Sequence, residues 1–179
     1  ALKQVIGSGE EALTDGSLAS SAFNHPQGMA LDGDTLYVAD TGNHAIRRVD
    51  LAAGTVETIA GTGDQGHDRE GRGPGRTMEL CSPFDLLQHE GTLYIAMAGT
   101  HQLAVLNLDT NSIRAYAGNG VEDVKDGSLA KCCMAQPSGL ATDGKYLFVV
   151  DSEGSSLRAV TLPPGNQVGT LVGTTGLPM

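Results

Sequence analysis

The stretch that decides the fold is PQGMALDGDTLYVADTGNHAIRRVDL, residues 26–51, because two later stretches repeat its pattern. The second reads PFDLLQHEGTLYIAMAGTHQLAVLNL, residues 83–108, and the third reads PSGLATDGKYLFVVDSEGSSLRAVTL, residues 137–162. Pro83 follows Pro26 by 57 residues, and Pro137 follows Pro83 by 54. Agreement over three copies indicates an internal repeat, which constrains the fold more than any single short motif does.

The copies agree at fixed distances from their prolines. Ten residues after each proline, a leucine opens an apolar block, and each copy ends in a further apolar run before Gly61, Gly118 or Gly173, the last with one inserted residue. The connecting segments repeat as well, since DGSLA begins eleven residues before the first and the third proline. The middle connecting segment, GTGDQGHDREGRGPGR, diverges from this pattern.

Each copy contains four short alternating patterns that are separated by Gly, Asp and Asn turns, as in an antiparallel meander. A helical period is not sustained, so we predict an all-β fold of four-stranded antiparallel propeller blades. The predicted blades span residues 22–62, 79–119 and 134–174, and residues 2–7 match the last strand of a preceding blade. The expected core residues are Leu36, Val38, Ile46, Leu93, Ile95, Leu103, Leu147, Val149 and Leu157.

The composition limits the classes of partner. The chain has 179 residues and a formal net charge of −10, which disfavours general binding to nucleic acids or anionic membranes but is compatible with a local basic patch. No apolar run approaches the ~18 residues of a membrane-spanning helix, and no signal peptide is visible. These observations favour a cytoplasmic location.

The cysteines predict neither a disulfide framework nor a zinc site. Cys81, Cys132 and Cys133 are too few for such a framework, and none of them forms the C-x-x-C spacing of zinc sites. We expect small, reduced and mostly buried side chains.

Residues 25–47 resemble an NHL repeat. HPQGMA is followed by LYVADTGNHAIR, in which Asn43-His44 matches the Asn-His that gives the motif its name, although Ala45 replaces the following Leu. The second copy keeps His101 and the third keeps Asp151. The linkers look most like those of proteins that join a thioredoxin-like domain to an NHL propeller. Since NHL propellers usually close with six blades, the resemblance implies that three copies form half of a ring.

This resemblance implies a non-enzymatic scaffold that presents a loop-lined face to a protein, a peptide or a small polar ligand, as part of a larger multidomain protein. The alternative is a metal-dependent lyase or lactonase-like hydrolase, because some similar six-bladed propellers are such enzymes. We expect no cofactor for the scaffold, whereas the enzyme would need Ca²⁺ or Zn²⁺. Two chains could complete a ring as a homodimer, although the surplus strand at residues 2–7 argues against perfect closure.

The loop face holds the candidate ligand- or partner-binding residues, because the long linkers and the turns after the second strands share one end of the blades. His44 and His101 stand in equivalent turns, either as a ligand-binding pair or as side chains that bond to the backbone and close the turn. His25 lies at the mouth of the predicted channel. No histidine ring forms there, since Ser82 and Gln136 replace it in the other copies.

Charged strand residues allow two interpretations. Arg47 could bind a carboxylate, or it could be a solvated strand residue that pairs with a nearby acid. Asp40 and Asp151, which end the second strands, could bind a metal ion or accept N–H groups of the turns.

The divergent middle linker is the part of the chain that departs most from the repeat, and we expect it to carry partner specificity. It contains Asp64, His67, Asp68 and Glu70 beside three arginines. The carboxylates could bind Ca²⁺, but their spacing does not fit a D-x-D-x-D-G loop, so a solvated loop of mixed charge is the alternative.

Overall fold

A computed structural model describes residues 4–175, which form three antiparallel sheets. The first sheet contains strands β1 to β5: Gly16–Ser17, Pro26–Asp32, Thr35–Asp40, Ala45–Asp50 and Thr55–Ala60. The second contains β6 to β10: Arg72–Pro74, Pro83–His89, Thr92–Met97, Gln102–Asn107 and Ser112–Ala117. The third contains β11 to β14: Pro137–Thr142, Tyr146–Asp151, Ser156–Thr161 and Val168–Val172. Three 3₁₀ turns span Thr41–Asn43, Gly75–Thr77 and Ala98–Thr100.

Each sheet is a propeller blade, here named blade 1, blade 2 and blade 3 in chain order. Within each blade the strands that begin at Pro26, Pro83 and Pro137 are the innermost, and three further strands follow outward as a meander. The three innermost strands are neighbours in space, with β7 between β2 and β11. The predicted all-β fold of four-stranded blades is therefore confirmed.

The linkers add a short outer strand that the repeat pattern did not predict. β1 pairs with β5 in blade 1, and β6 pairs with β10 in blade 2. In blade 3 the same contact is a single bridge between Gly127 and Val168. Each linker therefore returns along the outermost strand of the blade that it precedes.

The core lies between neighbouring blades, because each blade buries one apolar face against the next. Leu86, Leu93 and Ile95 of blade 2 pack against Tyr37 and Ile59 of blade 1. A second cluster joins Tyr94 and Leu103 to Leu147 and Val160 of blade 3. The apolar blocks that follow the prolines therefore join the blades to one another.

Two of the expected core residues are only half-buried. Leu36 lies on the face of blade 1 that points away from blade 2, and Leu157 pairs with the exposed Val172 in blade 3. The other seven are buried as expected. The prediction was wrong at these two positions because the end blades each have a face without a neighbour among the described residues.

The expected strand at residues 2–7 lies partly outside the described residues, and residues 4–7 do not form a strand. Gly7 nevertheless donates its N–H to the carbonyl of Leu18, as Gly118 does to Leu129 at the equivalent place in the repeat. The three cysteines are free and buried, as expected. Within residues 4–175 no helix has the length and apolar character needed to cross a membrane.

Replacing Leu93 with Ala should lower the free energy of unfolding by about 2–5 kcal/mol, because it removes a fully enclosed side chain between blades 1 and 2. Val121→Ala is the control, since Val121 lies in a linker and is 50% exposed. Urea denaturation of both variants measures the difference. A loss below about 1 kcal/mol for Leu93→Ala would contradict the packing.

Candidate functional site

The linkers and the turns after the second strands meet on one face of the wedge, here called the loop face. Asn43, in the turn of blade 1, donates its side-chain N–H to the carbonyl of Ala12 in the linker at 2.9 Å. The backbone N–H of Gly42 bonds to the carbonyl of Asn24, just before the innermost strand. The turns and linkers are thus packed against each other on a rigid scaffold, an arrangement typical of binding surfaces.

A buried ion pair in blade 1 holds this arrangement. Arg47 has no exposed surface, and its guanidinium lies 2.8 Å from the Asp40 carboxylate, which is also fully buried. The same guanidinium donates to the carbonyls of Ala22 and Thr14, each at 2.7 Å. One strand residue thus binds the linker at two points, at Thr14 in its middle and at Ala22 near its end.

Asp15 completes the network at the rim. Its carboxylate lies 2.9 Å from Arg47 and accepts the hydroxyl of Thr58 at 2.8 Å. Burial raises the pKa of Asp15, but the hydrogen bonds from Thr58 and Arg47 outweigh it and leave this pKa below its ordinary value. The carboxylate is therefore held in its charged form.

Blade 3 repeats the network residue for residue. Arg158 is fully buried, 3.2 Å from Asp151, and donates to the carbonyls of Cys133 and Lys125. Asp126 and Thr170 take the places of Asp15 and Thr58, with a hydroxyl-to-carboxylate distance of 2.8 Å. A network with these partners in two blades is a device of the repeat, and we call it the Asp–Arg network.

The structure corrects the interpretation of Arg47. It is neither solvated nor placed to bind a ligand carboxylate, because protein acceptors enclose its guanidinium. Asp40 and Asp151 accept backbone N–H groups as predicted, but these come from Asn24, Ala135 and Gln136, just before the innermost strands. Sequence reasoning allowed the strand arginine to pair with a nearby acid, but it placed the arginine in solvent and did not identify the buried Asp40 as its partner.

Blade 2 lacks the network at every position. Met97, Ala104 and Ala115 stand where blade 1 has Asp40, Arg47 and Thr58. A cavity of about 40 Å³ remains there, and these three residues are part of its lining, together with residues of the linker that include Asp68 and Arg69. Apolar side chains thus replace a buried ion pair as a set, a replacement that folds tolerate when no charge is left unpaired.

Gln102 supplies a different attachment for the middle linker. Its side-chain amide donates to the carbonyl of Arg69 at 3.0 Å and to that of Gly118 at 2.9 Å. Sequence reasoning missed Gln102, and the only available signal was that Ala45 and Ser156 occupy its place in the other copies. The middle linker is therefore held at Arg69 by a neutral amide, and its ion pair, between Arg76 and Asp15 at 3.5 Å, is exposed and joins it to the linker of blade 1.

The two turn histidines join neighbouring blades. Each ends a 3₁₀ turn in the left-handed region, where His is enriched among non-glycine residues. Nδ1 of His44 accepts the backbone N–H of Ser82 at 3.0 Å, whereas Nδ1 of His101 donates to the carbonyl of Ala135. Each imidazole therefore bonds to the backbone of the next blade, and not within its own turn.

His44 also lies near the middle linker. Burial lowers the pKa of His44, and the neighbouring charge of His67 lowers it further. His25 is exposed beside Asn24, with its Nδ1 within hydrogen-bond reach of the Asn24 side-chain oxygen. His25 is not joined to His44 or His101 by a hydrogen bond in the described part of the chain.

The candidate residues of the middle linker are all exposed. Asp64, His67, Asp68 and Glu70 lie on the surface, and the Asp68 carboxylate accepts the N–H of Glu70 at 2.9 Å. Across residues 4–175 no three His, Cys, Asp or Glu side chains are placed to hold a metal ion together. A binding role for these four residues remains a prediction.

Asp85 is a further residue that sequence reasoning missed. It lies on β7 near the centre of the wedge, and its carboxylate accepts the N–H of Leu140 on β11 at 2.8 Å. On the other side it lies against Gly28 of β2, where a β-carbon would collide with it. Asp85 thus links all three innermost strands, and Gly28 and Gly139 hold its place in the other blades.

Comparison with known proteins agrees with this architecture. Residues 23–48 match the NHL repeat family. NHL repeat-containing protein 2 of Bos taurus is 41% identical over 89% of this chain, which spans 25% of the length of that relative.

Two solved structures share the fold at low sequence identity. An auxiliary nutrient binding protein from Bacteroides ovatus superposes with a TM-score of 0.65 at 19% identity, over 86% of this chain and 39% of that one. A chain of the nidogen/laminin complex superposes with a TM-score of 0.59 at 19% identity, over 83% of this chain and 47% of that one.

The Asp–Arg network generates a stability prediction. Ala104→Arg alone should lower the free energy of unfolding of the chain by about 3–5 kcal/mol, because it buries a charge without a partner. Adding Arg72→Asp, Met97→Asp and Ala115→Thr should recover most of that loss, since the set rebuilds the network of blades 1 and 3. Urea denaturation compares the two variants, and equal stability would show that the register between the blades is wrong.

Proposed function

Because this chain is built of NHL-repeat β-propeller blades, we propose that it is a non-catalytic scaffold whose loop face binds a protein or peptide partner. The proposal rests on the middle linker, which exposes charged side chains and lacks the Asp–Arg network. Its exposed Asp64, His67, Asp68 and Glu70 lie on the loop face, whereas the Asp–Arg network fixes the linkers of blades 1 and 3.

A rigid frame of blades can carry an adaptable binding loop. A loop that is free of buried ion pairs can adjust to a partner at low cost, while the blades below it keep their geometry. Mixed charges on such a loop favour a polar partner of complementary charge. They raise the association rate and fix the orientation of the partner more than they raise the affinity. The nidogen/laminin complex provides an example of this fold within a protein assembly.

His44 and His101 support the site without lying in the linker. Both are half-buried at the boundaries between blades, where they fix the positions of the turns on the loop face. His25 lies exposed at the inner end of the same surface. No observation in the described residues favours the alternative of a metal-dependent lyase or lactonase, so we do not propose it as a second function.

Reversing charges in the middle linker should weaken partner binding about tenfold or more, because these side chains would meet the partner directly. The probe is a peptide selected on the wild-type chain from a displayed library of proteome fragments, with its Kd measured by calorimetry. The test variant is Asp64→Lys with Glu70→Lys.

Asp32→Lys with Asp34→Lys is the matched control, since it changes the net charge equally at an exposed turn between β2 and β3. Equal affinities of the two variants would contradict the assignment of the middle linker. Weakening by both would mean that only the overall charge matters.

We further propose that a second copy of the chain covers the open blade faces. Met29 on blade 1 is 63% exposed, whereas Leu86, its equivalent in blade 2, is 4% exposed. At the other end Val172 is 63% exposed, whereas its equivalent Ala60 is fully buried. Leu86 and Ala60 belong to the contact between blades 1 and 2. The open face of blade 1 therefore resembles one side of that contact, and the open face of blade 3 resembles the other side.

The chain should then associate in a concentration-dependent way, which analytical ultracentrifugation measures. Leu171→Glu should shift the equilibrium toward the 18.4 kDa monomer, because Leu171 lies exposed on the open face of blade 3. Val121→Glu, at an exposed apolar residue of a linker, should leave the association unchanged. A monomer at all concentrations would exclude the second copy as the occupant.

A further inference from the structure

Two arginines face each other on the outer edge of blade 2. In the ladder between β6 and β10, Arg72 lies directly opposite Arg114. Side chains of directly opposed residues share one face of a sheet with β-carbons about 4.5–5.5 Å apart, and like charges there repel. Both arginines are exposed, and neither forms an ion pair with any residue between positions 4 and 175.

Blade 1 shows the balanced form of this edge. Glu57 stands where blade 2 has Arg114, and it forms an ion pair with Arg48 on the adjacent strand. In blade 2 the position of Arg48 is taken by Val105. Blade 2 therefore carries two uncompensated positive charges at this edge, on a chain with a net charge of −10.

Arg114 lines a cleft of about 260 Å³ between blades 2 and 3. Arg114 is the only charged residue among the described residues that line it. Tyr94, Val105, Arg114 and Arg72 form one row across four paired strands, so Arg72 shares the face that borders the cleft. The outer edge of blade 2 thus places two positive charges on the face that borders a cleft with a partly polar lining.

The other walls of the cleft supply hydroxyl groups and rings. Thr92 and Ser112 lie in the next row of the same face, both opposite Asn107. Tyr94 and Tyr116 meet edge to face at 5.3 Å, and the Tyr116 hydroxyl donates to the carbonyl of Thr161 at 3.3 Å. This bond links the ring wall to blade 3.

We propose that this cleft binds a phosphate group, either as the free ion or as a monoester. Two guanidinium groups match the charge of a phosphate dianion, and each can donate two parallel hydrogen bonds to its oxygens. The hydroxyls of Thr92 and Ser112 are suited to the remaining oxygens, and the two tyrosine rings to the organic part of a monoester.

Glu90 is an acid whose negative charge acts on Tyr94 in the wall of this cleft. Burial raises the pKa of Tyr94, the charge of Arg114 lowers it, and the exposed Glu90 raises it. Both charges therefore act at the same ring. Replacing Glu90 with Gln should tighten phosphate binding, because it removes a negative charge that would oppose the anion there.

Calorimetric titration of the full chain with inorganic phosphate at about pH 8, where the group is a dianion, tests the site. We expect saturable binding of one ion, which Arg114→Gln and Arg72→Gln each weaken roughly tenfold. Arg48→Gln, at the balanced edge of blade 1, should leave the Kd unchanged. All three residues are exposed, and circular dichroism verifies that the variants are folded.

Titration with phenyl phosphate distinguishes a site for the free phosphate ion from a site for a phosphate monoester. Tighter binding than inorganic phosphate would assign a monoester whose organic part contacts the tyrosines, and equal binding would assign the free ion. No saturable binding of either compound would overturn the proposal. Equal weakening by Arg48→Gln and Arg114→Gln would also overturn it, because the effect would then reflect overall charge.

Discussion

The buried pair of Arg47 with Asp40, and its copy in blade 3, determines where the loop face lies. A strand of a propeller blade needs only apolar contacts to pack against the next blade, but a linker of fourteen or more residues needs an anchor. The arginine provides it by donating to two linker carbonyls from inside the blade. Because such a charge is stable only with its acid, the strand and the linker are fixed together.

The absence of this pair from blade 2 gives the middle of the wedge a different character. The neutral Gln102 binds its linker beside a small cavity where the other blades hold the buried ion pair. The position of the rim acid, which is Asp15 in blade 1 and Asp126 in blade 3, is taken by Arg72, which lies opposite Arg114. One coordinated change in the repeat thus accounts for both the adaptable linker and the positive outer edge.

The repeat register predicted the blades, since the spacing of apolar residues from Pro26, Pro83 and Pro137 reports directly on strands and their buried faces. It did not predict the state of Arg47, because alternation marks a polar strand residue as outward-facing unless its partner is known. The sequence did contain a signal for this pairing, because the Asp and the Arg occur together in two copies and are both replaced in the second. The inter-blade bonds of His44 and His101 were not readable, since they depend on how closely two blades approach.

The short outer strands also shield the chain from unwanted pairing. β1 and β6 occupy the outer edges of blades 1 and 2, so the backbone groups of β5 and β10 that they pair with are already bonded. Blade 3 has one bridge at Val168, and the rest of β14 is an open edge among the described residues. An open, apolar edge is a template for strand addition. In a partly unfolded or concentrated sample, β14 is therefore the place where aggregation of this chain would begin.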